Sequence, residues 1–215
     1  MLTILTMRID SLKNTPDRAG RYWVVFEDGT KLGLYRQTVE DFGLYIGKEL
    51  TEEEKESLLT AAGKMSAKMR AVRIVSASSV SKRDLEERLV RKGEDPEQAK
   101  EAVQWMEDLH LVDDRNTAEQ VVHSCISKGY GLQRAKQALY EKRIPKQYWD
   151  EALADYPDQT EKIESFLRSR LDADSDQKQI KKAIDALIRR GHSYGVIRRV
   201  LNDLSFDSDE YIEDF

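Results

Sequence analysis

A repeat of about 50 residues constrains this chain more than any other feature of its sequence. Residues 109–144, LHLVDDRNTAEQVVHSCISKGYGLQRAKQALYEKRI, read as a turn, a helix, a Gly-rich turn and a second helix, with a third helix started by Pro145. Asp113 or Asp114 caps the first helix, since a carboxylate there accepts an orphan N–H and opposes the helix dipole. Gly129 and Gly131 flank the break, where a chain leaving a helix favours positive φ. Leu132, Ala135 and Leu139 share one face of the second helix. Aligning Gly93, Arg143 and Gly191, at offsets of 50 and 48 residues, shows a copy of this unit on each side. Six apolar columns then coincide without a gap inside the aligned segments. Before the aligned position they are Leu85/Ala135/Ala183 and Leu89/Leu139/Leu187. After it they are Ala99/Trp149/Ile197, Ala102/Ala152/Val200, Val103/Leu153/Leu201 and Met106/Tyr156/Leu204. Such a period means stacked helical units, each too small to bury its apolar face alone.

The rest of the chain divides around that array. Residues 3–12 and 21–26 are rich in β-branched and aromatic residues. Asp28-Gly29 gives a two-residue hairpin signal, and Lys31–Tyr35 forms the return strand. Arg36–Phe42 reads as a short helix covering this sheet. Gly47–Leu50 is a turn into Thr51-Glu52-Glu53-Glu54, a capping-box pattern. Ser81 caps helix 82–92, Asp95-Pro96 starts the next, Ser175 or Asp176 opens a later one, and Ser193 caps the last. The expected fold is mainly α: three tandem three-helix, helix-turn-helix-like repeats in an elongated array, preceded by a small N-terminal antiparallel β element. Its parts are the β element at 1–50, a linking helix at 51–63, and repeats at 64–112, 113–156 and 157–204. An acidic, mobile tail follows at 205–215.

Charge limits the function classes. Lys and Arg number 35 against 40 Asp and Glu in 215 residues, a charged fraction of 35%. Residues 64–150 hold 17 basic and 14 acidic side chains, and the tail from 205 holds 5 acids and no base. That excess is small for a duplex-DNA binder, whose cations are usually many and clustered. The single cysteine excludes an internal disulfide and fits a reducing compartment. No signal-peptide pattern or membrane-length apolar run is present, so the expectation is a cytoplasmic protein with no membrane partner.

No motif carries chemistry. Phosphate-binding Gly loops, HExxH and CxxC are absent, and His110, His123 and His192 have no ligand at i+4. Cys125 reads as a small buried hydrophobe beside Val121 and Val122. Asp113-Asp114 reads as a helix cap rather than a metal pair. The expectation is no catalytic residue, no metal and no cofactor.

A family resemblance enters on the middle repeat. Leu109–Asp114, Ala118, Lys128-Gly129-Tyr130-Gly131, Arg134, Leu139 and Lys142-Arg143-Ile144-Pro145 together resemble the RecX family of recombination regulators. Leu85–Gly93 and Val103–Asp114 ahead of them, and Ile184–Gly191 near the end, are similar too. The N-terminal hairpin with Gly47–Thr51 is similar to the longer RecX proteins. Two departures are Arg143, where the family more often has Gly, and Thr117-Ala118, which lacks the usual aromatic before Ala. The resemblance implies a monomer that binds RecA on its single-stranded DNA filament. It further implies restraint of ATP hydrolysis and strand exchange; the charge balance supports at most weak direct DNA contact.

The alternative is a direct DNA-binding helix-turn-helix protein, to which Gln133-Arg134 and Lys136-Gln137 give a partial match. The candidate partner-binding residues are Arg115, Lys128, Arg134, Lys136 and Arg143. On the helix from 132 to 143, Lys136, Tyr140 and Arg143 fall on one shoulder of the core face and Arg134 on the other. Lys136 and Tyr140 align with Ile184 and Ile188, so packing against a neighbouring repeat is the competing reading of that shoulder.

Overall fold

The computed structural model describes residues 6–206; the rest of the acidic tail and residues 3–5 of the first expected strand lie outside them. The chain divides into two compact units, Met1–Val112 and Asp113–Phe215. It is mainly helical, with a small N-terminal antiparallel sheet.

In the first unit, β1 (Thr6–Leu12), β2 (Arg21–Phe26) and β3 (Lys31–Tyr35) follow the expected ranges. Alternation sends Val24 and Phe26 into a core with Ile9 and Leu34, while Trp23 stays half-buried on the other face. The hairpin closes on Phe26 and Thr30, leaving three loop residues, Glu27-Asp28-Gly29, rather than the expected two. The Gly29 N–H donates to Phe26 O at 2.9 Å, and the Phe26 N–H donates to Thr30 O at 2.9 Å. Gly29 takes φ +83°, the left-handed residue that closes this kind of hairpin. A fourth strand, β4 (Glu49–Thr51), stands where a turn was expected. It pairs antiparallel with β1, giving the order β3-β2-β1-β4. Helix α1 (Arg36–Asp41) follows β3, and Val39 and Phe42 pack against the sheet core.

Thr51 then caps α2 (Glu52–Ala77) through the expected capping box with Glu54. This helix is continuous across residues 63 and 64. Its N-terminal part supplies Leu58 to the sheet core, and its C-terminal part supplies Ala67 and Ala71 to the first repeat. Helices α3 (Lys82–Arg91) and α4 (Pro96–Asp108) complete that repeat, capped by Ser81 and Asp95. Leu85, Leu89, Ala99, Ala102, Val103 and Met106, six residues of the sequence columns, lie in one core cluster.

The second unit opens with α5 (Asp114–Ser127), whose cap is Asp113, and α6 (Leu132–Glu141). Leu139 and Ala135 are fully buried, but Leu132 is 39% exposed, contrary to its place on the expected core face. The third helix of this repeat is shorter than its counterparts. A 3-10 turn, Lys146–Tyr148, leads into α7 (Trp149–Leu153). Trp149 is half-buried rather than central, and its indole N–H donates to Ile144 O at 3.0 Å. Helices α8 (Thr160–Arg168), α9 (Gln177–Arg189) and α10 (Tyr194–Asp203) form the third repeat around Ile163, Leu167, Leu187 and Ile197. Asp176 caps α9 in a second capping box, whereas Ser193 precedes α10 without a side-chain bond to it.

The aligned positions Gly93, Arg143 and Gly191 all take positive φ, at +91°, +58° and +84°. Each follows the second helix of its repeat, where a left-handed residue ends the helix. Arg143 therefore adopts the conformation that glycine holds in the other two copies.

Candidate functional site

Helix α6 presents the sequence-predicted face. Its buried side is Ala135 and Leu139; Lys136 and Tyr140 lie in solvent, with Tyr140 58% exposed. Leu132 joins them one turn earlier, so the exposed strip runs Leu132, Lys136, Tyr140 at helical spacing. Arg143, exposed, continues beyond the helix end. The alignment pairs this strip with Ile180, Ile184 and Ile188. The first two are buried in the third repeat's core, and the last packs against it. The substitution of Leu, Lys and Tyr for three isoleucines thus accompanies a face that stays open to solvent.

The other candidates sit apart from that strip. Arg134 is half-exposed on the opposite shoulder, where its guanidinium meets both oxygens of Glu141 at 3.1 Å. Arg115, in the first turn of α5, is paired with Glu151 and lies 3.8 Å from Glu119. Its charge is already opposed, and the pair ties α5 to α7. Lys128 is exposed at the C-terminal end of α5. Neither Lys128 nor Lys136 has an ion pair among the described residues. Lys136 and Tyr140 thus share one exposed strip, Arg143 is exposed past its end, and Arg115 and Arg134 are engaged within the repeat.

Backbone contact fixes the start of α6. The Gly131 N–H donates to Arg190 O at 2.9 Å, and a Cβ on Gly131 would lie 2.1 Å from Gly191 O. Gly131 has φ −78°, so it is here for close approach, not for the positive φ expected of it. His192, buried next to this contact, bonds through Nε2 to Gly129 O at 3.1 Å. Burial holds its pKa below the ordinary imidazole range, favouring the neutral ring. Cys125 is buried and its thiol is pushed up by burial, the opposite of an activated nucleophile. Tyr156, pushed up to about 12 by burial, donates its hydroxyl to Tyr130 O at 2.7 Å. The Gly131 and His192 contacts tie the second repeat to the third, and the Tyr156 bond closes the second on itself.

Among the described residues no group of three or more His, Cys, Asp or Glu is placed to hold a metal ion. None of the described helices is long and apolar enough to cross a membrane.

Residues 113–153 match the family model described as RecX, second three-helix domain. A regulatory protein RecX from Chlorobaculum tepidum is 34% identical over 155 residues, covering 68% of this chain and 96% of that relative. The chain belongs to the RecX family. A second regulatory protein RecX, from Clostridioides difficile, is 28% identical over 210 residues, covering 95% of this chain and 97% of the relative. The match therefore includes the N-terminal sheet as well as the repeats. Family membership carries the regulatory role for which these RecX proteins are named. Among solved structures, a crystal structure of regulatory protein RecX superposes with a TM-score of 0.60 at 21% identity, over 91% of this chain and 99% of that one. A crystal structure of RecX from Lactobacillus salivarius gives 0.58 at 23% identity, over 67% and 98%. At these identities the likeness is one of fold, and it fits a helical repeat array.

Proposed function

We propose that this RecX protein binds RecA on its single-stranded DNA filament and restrains ATP hydrolysis and strand exchange, acting as a regulator without catalysis of its own. The observation that supports the reading is the exposed strip of α6 within a chain of the RecX family. An aromatic and an aliphatic side chain flank a lysine with no ion pair among the described residues, where the third repeat has a buried isoleucine face. Tyrosine supplies a large contact area at low entropic cost, and long basic stems pack while their charges meet acids or phosphates. Arg115, Lys128, Arg134, Lys136 and Arg143 are the proposed binding residues, with Lys136 and Arg143 at the centre. A monomer in the cytoplasm is the working form.

The test is RecA's DNA-dependent ATP hydrolysis with the protein added. Wild type lowers the rate. Arg134→Glu with Lys136→Glu, checked first for an unaltered melting curve, needs at least tenfold more protein for the same effect. A wild-type protein that leaves the rate unchanged overturns the role, and a double variant as effective as wild type moves the binding face elsewhere. A second reading, direct DNA binding by α6 as a recognition helix, draws on Gln133, Lys136 and Gln137, all exposed at or near its start. Strong duplex binding without RecA and with a steep salt dependence would favour it.

A further inference from the structure

The first unit contains a groove of about 580 Å³ between the start of β2, the C-terminal half of α2 and the end of α3. Six cationic side chains line it: Arg21, Arg70, Arg73, Arg88, Arg91 and Lys92. No carboxylate lines it. Three of the six are paired just outside, Arg21 with Asp17 at 2.8 Å, Arg70 with Glu94 at 2.6 Å and Arg88 with Asp84 at 2.8 Å. Arg73 donates only to neutral oxygens, Ala19 O at 2.8 Å and the Tyr35 hydroxyl at 2.7 Å. Arg91 and Lys92 are exposed and have no ion pair among the described residues. Three positive charges thus face one concavity without a carboxylate, in a protein whose formal net charge is −5. Like charges gathered in a cleft repel one another and focus a field that draws in anions.

We propose that this groove is a binding site for the phosphodiester backbone of single-stranded nucleic acid. The choice of ligand follows from the chemistry of the lining. Guanidinium and ammonium groups donate hydrogen bonds and accept none. A peptide strand would bring N–H donors as well as carbonyls, and its donors would find no partner among these heads. A phosphodiester strand brings acceptors only along its backbone, and the planar guanidinium fork matches its oxygens in pairs. The Arg21 guanidinium lies 5.1 Å from the Trp23 ring centroid, which helps hold it at the groove. A positively charged groove that tracks the backbone is one of the devices by which proteins hold a single strand without reading its sequence. The site lies in the sheet and first repeat and does not rest on the middle repeat or on RecA.

The experiment uses the full chain without RecA. Anisotropy of a fluorescein-labelled oligothymidylate is measured over a salt series for three proteins. These are wild type, Arg91→Glu with Lys92→Glu, and Lys178→Glu with Lys182→Glu, whose exposed lysines on α9 make an equal change in net charge. The groove variant should bind at least tenfold more weakly, and its log–log salt slope should be shallower by about 1–2, as expected for two lost phosphate contacts. The α9 variant should stay within about twofold of wild type, and Arg91→Lys with Lys92→Arg should keep the affinity. An equal loss in both reversal variants would reduce the effect to net charge, and unchanged binding in the groove variant would remove the site. Polyglutamate competing as well as unlabelled oligothymidylate would assign the groove to a carboxylate-bearing partner instead. Because no RecA is present, these results stand apart from the ATP hydrolysis test: either proposal fails without the other.

Discussion

Gly131 and Gly93 are both glycines at helix ends, and they are glycines for different reasons. Gly93 has φ +91° and open space where a side chain would project, so only its backbone conformation requires glycine. Gly131 has an ordinary φ, but a Cβ there would lie 2.1 Å from a carbonyl oxygen of the third repeat. Gly93→Ala should therefore lower stability by about 1–2 kcal/mol, the usual strain of a left-handed residue with a side chain. Gly131→Ala should lower it more, by roughly 2–4 kcal/mol, because two backbone segments must separate. Denaturant midpoints of the two variants check the order, and a Gly131→Ala protein as stable as wild type would mean that the junction yields without cost. The place of Gly93 was legible in the sequence as an aligned position of the repeat, although positive φ was expected at Gly129 and Gly131 instead. The role of Gly131 was not, since the atom it avoids belongs to a segment far along the chain. Leu132 escaped for a related reason: its spacing fits the core face, but no element of its own repeat covers it.

Local chemistry makes most of the helices readable. Thr51, Ser81, Asp95, Asp113 and Asp176 each cap the helix expected of them, because a cap is written within four residues. The first helices of the repeats were harder to match. Ala67, Ala71, Ile74 and Val75 of α2 align with Ala118, Val122, Cys125 and Ile126 of α5, and with Gln159, which precedes α8, and Ile163, Phe166 and Leu167 within it. The offset changes because the chain between α8 and α9 is longer than between α5 and α6, and α9 starts earlier. Strand β4 was missed because three residues carry no periodicity, and only their pairing with β1 makes them a strand. The middle repeat is built with the shortest third helix, and its core leans on α5 and α6. Leu139→Ala should accordingly cost about 2–5 kcal/mol through the cavity it leaves. Trp149→Phe should cost only about 1 kcal/mol, chiefly the lost bond to Ile144 O. Urea unfolding of the two proteins separates these outcomes, and equal losses would place Trp149 at the centre of the core.

Across the whole chain, what the sequence reading could not see is what tertiary structure gathers. The six cations of the groove come from β2, α2 and the end of α3 with Lys92 after it, and counting charges along residues 64–150 leaves out Arg21 and dilutes the other five among 14 acids. The same long-range assembly governs how the first unit holds together. Helix α2 spans 26 residues, roughly 39 Å at the standard rise, and belongs to two cores. Leu58 is fully buried in the sheet core, while Ala67 and Ala71 are fully buried in the first repeat. Arg73 adds a crosslink by donating to Ala19 O and the Tyr35 hydroxyl from the repeat end of the helix. A helix shared in this way cannot lose one partner without fraying toward the other, since its stability comes from packing rather than from propensity. Leu58→Ala should therefore cost about 2–5 kcal/mol and weaken hydrogen-exchange protection in β1 and β2, and also in α3 and α4, which Leu58 does not touch through its own core. Leu85→Ala, in the repeat core, should weaken the same amides of the sheet. Loss of protection confined to the side of the mutation would show two independently folding pieces joined by a rigid rod. Loss on both sides makes the sheet and the first repeat one cooperative body, with the arginine groove lying along the seam between them.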